Sequence, residues 1–205
     1  MVLVAGNQSF LYRPAGTVYV MATDTRDRIL NGLRSVLAQH GSGGVTLESV
    51  AAAAGVSKGG LLYHFPSKEA LYDGILDRCE TGVDATIQEL TAEQGAARAY
   101  LDYSLPVEDD EGEYMTALIA AVRSGDGTGP GAAEKLVRTF TVGEAPLMEA
   151  VADPVLAQTI RLVGLGMYLS AIAGLPMPEA RVLQAVCDRL VAEAHSADTT
   201  AIIQP

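Results

Sequence analysis

Residues 46–71 read TLESVAAAAGVSKGGLLYHFPSKEAL, and the fold turns on this stretch. Thr46 can cap a short helix, Leu47–Ala54, whose Leu47, Val50, Ala51 and Ala54 share one face at helical spacing. Gly55 closes that helix and permits the left-handed backbone of a sharp turn. Ser57 caps a second helix over about 58–63, which Pro66 stops, and Ser67 opens another. The layout is helix, tight glycine turn, helix.

Working outward, residues 26–40 carry Ile29, Leu33, Val36 and Leu37 on one face, with Thr23 or Thr25 as cap and Gly41 as stop. After Ser67 one apolar stripe (Leu71, Ile75, Cys79, Val83, Ile87, Leu90) predicts a helix roughly 35 Å long, at 1.5 Å per residue. Further helices are expected at 96–105, 113–123, 132–152, 154–174 and 178–194, with Pro154 and Pro178 as first-turn prolines. The run SGDGTGPG at 124–131 reads as a flexible loop. The expectation is an all-α fold of about nine helices. A three-helix helix-turn-helix module spans 21–70, a larger helical body 71–195, and a fraying tail 196–205. Residues 1–20 read as a poorly ordered extension, with Met21 as a natural first residue.

Apolar residues make up 49% and charged residues 19%, a globular composition. Cys79 and Cys187 lie far apart on apolar faces, which argues against a disulfide scaffold or zinc site and suits the cytoplasm. No unbroken apolar run reaches the ~17–25 residues that cross a bilayer, and 162–175 reads as a buried helix, so no membrane partner is expected. The net charge of −11 is unevenly spread. Residues 22–70 hold five bases (Arg26, Arg28, Arg34, Lys58, Lys68) against four acids (Asp24, Asp27, Glu48, Glu69). The acidity lies almost wholly in the body, which should face away from a polyanion.

A helix-turn-helix lays its second helix in the major groove, and backbone must approach phosphate at that helix's start. Ser57 offers a hydroxyl and free N–H groups there. Gly59 and Gly60 beside Lys58 cost roughly 1 kcal/mol each relative to alanine, which suggests that another surface comes close. Leu61 and Phe65 read as core anchors, leaving Tyr63 and His64 for groove or phosphate. On these residues the chain resembles the DNA-binding region of the TetR/AcrR family of regulators, over about 26–76. The resemblance implies backbone or phosphate contacts from Thr46, Ser57, Tyr63, His64 and Lys68, and base readout from Lys58, Gly59 and Gly60. Lys58 can bond guanine O6 and N7. Two departures stand out: Leu62 where relatives often carry tyrosine, and Gly60 where they often carry threonine.

Of the remaining features, the acidic run at 108–113 reads as a solvated loop rather than a cation site. Met115, Phe140, Met148, Met167 and Tyr168 are candidates to line a pocket, against the plainer reading as core. Gly164 and Ala171 on the eighth helix, with Val182, Leu183, Val186 and Leu190 on the ninth, suit a dimer face of four helices. No nucleophile elbow, phosphate loop or metal spacing occurs, so neither catalysis, metal nor cofactor is implied. The expected protein is a homodimeric transcription regulator of repressor type. The resemblance to TetR/AcrR regulators implies that it binds a palindromic double-stranded DNA operator and is released by a small apolar or amphipathic effector. The alternative is a DNA-organising or partner-binding scaffold without effector control.

Overall fold

The structure is a computed structural model and describes residues 24–105 and 110–202. The expected extension at 1–20 and Thr23 lie outside the described residues. Asp24 caps α1 (Thr25–His40), its side chain accepting from the Arg26 N–H at 3.2 Å, while Thr25 is already helical. A carboxylate is the better cap here, because it also meets the positive end of the helix dipole. In α2 (Leu47–Ala54), Thr46 and Ser49 exchange side-chain-to-backbone bonds at 3.0 and 2.9 Å, a reciprocal cap. Gly55 ends it in the left-handed region, at φ 64° and ψ 37°. Ser57 Oγ accepts from the Gly60 N–H at 3.1 Å and starts α3 (Lys58–His64).

Two long-range devices hold this corner. Gly32 lets α1 and α2 touch, since a methyl group there would lie 2.9–3.0 Å from Ala54 N, Ala54 Cβ and Val50 O. The Arg28 guanidinium donates to the Ala54 and Gly55 carbonyls, both at 3.0 Å, and so satisfies the end of α2 from α1.

α4 (Lys68–Gln94) spans about 40 Å and joins the head to the body. Leu71, Tyr72, Ile75 and Leu76 are buried with the head, and Thr86, Ile87 and Leu90 are buried at the far end. No residue of 77–85 is buried. Then follow α5 (Ala96–Tyr103), α6 (Glu111–Ser124), α7 (Ala132–Thr141), α8 (Ala145–Ala150), α9 (Pro154–Ile172) and α10 (Ala180–Ile202). The described residues contain no strand. One apolar cluster joins the head to α6 and α7 through Met115, Leu118, Ala121 and Leu136. A second gathers α5, α8, α9 and α10 around Leu101, Leu147, Ile160 and Cys187.

Four local expectations need correction. The single helix expected over 132–152 breaks at a 3-10 turn, Val142–Glu144, because Pro146 has no N–H and its ring would strike the carbonyl four residues back. Gly143 in that turn lies against Ile87 of α4. Pro178 precedes α10 instead of opening it, since the first bonds of that helix run to the Glu179 carbonyl. α10 continues to Ile202, with no proline or glycine to stop it. The acidic run is not wholly solvated: Arg34 of α1 bonds Asp110 at 2.8 Å and Glu111 at 3.3 Å, which ties α6 to the head.

Candidate nucleic-acid interface

α3 is anchored from one side only. Leu61 is fully buried and Phe65, just past its end, is 3% exposed. The opposite side faces outward with Lys58, Gly59, Leu62 and Tyr63; Tyr63 is 86% exposed and its ring stands edge-on to His64. A short helix seated by two apolar residues and bare elsewhere is what groove entry demands. The hydroxyls of Thr46 and Ser57 accept from their own helix starts, and each keeps its proton to donate outward.

Nothing inside the chain calls for glycine at 59. A methyl group there would find only Ser57 Oγ, at 4.0 Å. Gly59→Ala is therefore expected to stabilise the protein by up to about 1 kcal/mol through helix propensity. DNA affinity should move the other way, falling roughly tenfold as the added methyl holds phosphate or base edge away. Unfolding midpoints and duplex titrations check both signs. A stabilised variant with unaltered affinity would show that the duplex does not approach Gly59.

Each head cation has an internal partner. Arg28 serves the end of α2, Arg34 serves Asp110 and Glu111, and Arg26 lies over the Phe65 ring at 5.1 Å. Lys58 Nζ sits 2.6 Å from Glu48 Oε1. That hydrogen bond lowers the carboxyl pKa of Glu48 below its ordinary value. Lys68 Nζ reaches Asp126 at 3.1 Å, on the loop between α6 and α7. Sequence reasoning passed over Arg28 and Glu48. Neither has a local signal, because their partners lie 26 and 10 residues away.

The five candidate pocket residues divide between the two clusters. Met115 is buried in the first cluster, against which Phe140 and Tyr168 pack with their ring centroids 6.0 Å apart. Met148 and Met167 belong to the second cluster. The Tyr168 hydroxyl donates to Glu111 at 3.2 Å, and burial with that nearby carboxylate raises its pKa. Cys79 Sγ and Tyr114 Oη pair at 3.0 Å close by. A separate cleft of about 850 Å³ opens between α1, α6 and the end of α9, lined by Leu37, Thr116, Ala120, Ala171 and Met177 among others. Of the five candidates, none lines it.

The dimer candidates divide too. Gly164 is a correction: it faces α5 of its own chain, where a methyl group would sit 2.6 Å from both Tyr100 and Ser104 Oγ. Leu190 is buried and Leu183 packs on the same core. Val182 and Val186 are exposed, 46% and 39%, and Ala171 is half-buried at the cleft. α9 is likewise not the buried helix expected, for Val155, Leu162 and Leu169 are 73%, 59% and 42% exposed. By length and composition alone it is long and apolar enough to cross a bilayer, a test that core helices also pass. Its three exposed large apolar residues lie seven positions apart, one heptad between each. That spacing was readable in the sequence.

With this geometry in place, likeness to known proteins is informative. Residues 29–75 match the family model for bacterial regulatory proteins of the tetR family. Residues 94–195 match the model for the Tetracyclin repressor-like C-terminal domain. The chain belongs to the TetR family of transcriptional regulators, a family of non-enzymatic DNA-binding proteins. It is 52% identical over 48 residues to the HTH-type transcriptional regulator RutR of Escherichia coli K12, 23% of either chain. To the nucleoid occlusion factor SlmA of Photobacterium profundum it is 33% identical over 69 residues, 33% of this chain and 35% of that one. The chain therefore spans only a quarter to a third of the curated relatives it matches. A transcriptional regulator from Rhodococcus sp. Rha1 shares the fold at TM-score 0.61 and 22% identity, covering 89% of this chain and 100% of that one. A TetR-family transcriptional regulator from Mesorhizobium loti does so at 0.62 and 17%, covering 87% and 98%.

Proposed function

We propose that the chain is a cytoplasmic, homodimeric repressor that reads a palindromic operator and lets go when a small apolar or amphipathic effector enters its body. The observation that carries this reading is the bare outer side of α3, with Tyr63 86% exposed and glycine at a position where the chain itself needs none. Thr46, Ser57, Tyr63, His64 and Lys68 contact phosphate, and Lys58 with Gly59 and Gly60 reads base edges. Two heads held by α9 and α10 would meet half-sites about one helical turn apart. Selection of duplexes from a randomised pool by the full-length protein tests this. Recovery of a two-fold symmetric sequence supports it, and indifference to every duplex at low salt ends it.

On this reading the effector would lodge around Met115, Phe140 and Tyr168, near the Tyr168–Glu111 and Cys79–Tyr114 pairs. An occupant there would press on α4 across its half-buried middle. Release requires that it favour the off-DNA state by about 1–3 kcal/mol or more.

Replacing Lys58 by alanine is expected to relax the choice of one base pair by about 1–3 kcal/mol while leaving other positions of the selected site untouched. A uniform loss over all sequences would instead place Lys58 on the backbone.

The likeness to a nucleoid occlusion factor keeps a second reading in view, a DNA-organising or partner-binding scaffold that uses the same head without effector control. That match covers only 33% of this chain, and a complex that no apolar compound dissociates would support it over the first reading.

A further inference from the structure

Lys68 and Lys58 are the two head lysines, and their acids differ in kind. Lys58 pairs with Glu48 of the same head, with side chains 54% and 64% exposed. Lys68 pairs across elements, with a side chain only 26% exposed. Its stem lies along the Gly127 backbone, where a methyl group would collide with Cγ, Cδ and Cε. Its ammonium sits 5.9 Å above the Tyr72 ring and 3.1 Å from Asp126 Oδ1. Asp126 is itself held in place. Its N–H donates to the Ala121 carbonyl at 3.2 Å, and Ala121 is fully buried in α6. Gly125 and Gly127 on either side take φ 71° and 70°, the left-handed conformation that closes the end of α6 and turns the loop toward α4. Further along, Lys135 of α7 takes Asp73 and Asp77 of α4, and Arg138 takes Glu80 at 3.3 Å. A row of ion pairs thus binds α7 and its preceding loop to the head end of α4.

We infer that Asp126 is a built-in rival of the DNA phosphate for Lys68 and sets the protein's DNA affinity from the body side. The inference rests on Lys68 being a phosphate contact, as proposed above. The Lys68 ammonium can neutralise a backbone phosphate only to the extent that it leaves Asp126, and counterion release follows that extent. A carboxylate anchored to α6 moves with α6. A shift of that helix toward the head tightens the clasp and takes charge from the interface; a shift away returns it. This gives the body an electrostatic route to the reading surface, separate from any change in the spacing of the two heads.

The test is a double-mutant cycle on the full chain, read by titrating a fluorescent random-sequence duplex at several salt concentrations. Asp126→Asn should bind about two- to fivefold tighter, the fold-change matching a partly exposed ion pair, with a salt dependence steeper by up to about one unit of log slope. Lys68→Ala should bind more weakly with a flatter slope. Asp126→Asn added to Lys68→Ala should change nothing further. The inference is overturned if Asp126→Asn leaves affinity unaltered, or if its gain persists without Lys68, since Asp126 would then act only by distant repulsion. Thermal midpoints guard against loss of folding, and Asp126 is exposed enough for asparagine to fit. If the unaltered chain binds no duplex at low salt, the proposed function fails with the inference. If it binds, and Lys68→Ala weakens it while Asp126→Asn is silent, only the inference fails.

Discussion

Leu61→Ala is expected to destabilise the protein by about 2–5 kcal/mol and to abolish DNA binding at physiological temperature. Leu61 is the one residue of α3 that is buried, at 0% exposure, and it belongs to the apolar cluster that joins α1, α2 and α4. Truncation removes apolar contact and leaves a cavity that neighbouring helices cannot close, because Gly32 already holds α1 and α2 at their shortest approach. A loss of this size is a large share of the ~5–15 kcal/mol that stabilises a typical fold. Urea unfolding followed by circular dichroism measures it. A cost below about 1 kcal/mol with DNA binding intact would mean that α3 is seated by something other than this side chain.

The second large effect concerns assembly. Leu162→Glu combined with Leu169→Glu is expected to turn a dimer into a monomer and to lower operator affinity by roughly a hundredfold or more, since two linked heads bind far more tightly than one. Both leucines are exposed in the single chain, so the substitution should leave the protomer folded. Light scattering reports the mass and circular dichroism the fold. A variant that stays dimeric would move the interface away from the Val155–Leu162–Leu169 seam. The burial of Gly164 against Tyr100 and Ser104 already separates the inner face of α9 from this outer one.

The head was legible because its signals are local. A cap, an apolar residue three or four positions on and a glycine stop lie within one or two turns of each other, and the same short-range physics forms the helices at 47–54 and 58–64. The body was read with less success for the matching reason. An apolar stripe says that a helix buries one face but not against what, so Leu190 and Val186 looked alike although one is buried and the other exposed. Pro146 was visible and still overlooked, and with it the break between α7 and α8.

By itself, then, the order of residues determined the helical class, the turn at Gly55, the capped start of α3 and the charge contrast between head and body, all set by neighbours close along the chain. Only the tertiary structure decided which cation meets which acid. Lys68 and Asp126 lie 58 residues apart, as do Arg138 and Glu80, and Arg34 and Asp110 lie 76 apart. Ion pairs are chosen by the packing of whole helices, after apolar burial has brought those helices together, and no local pattern carries that information.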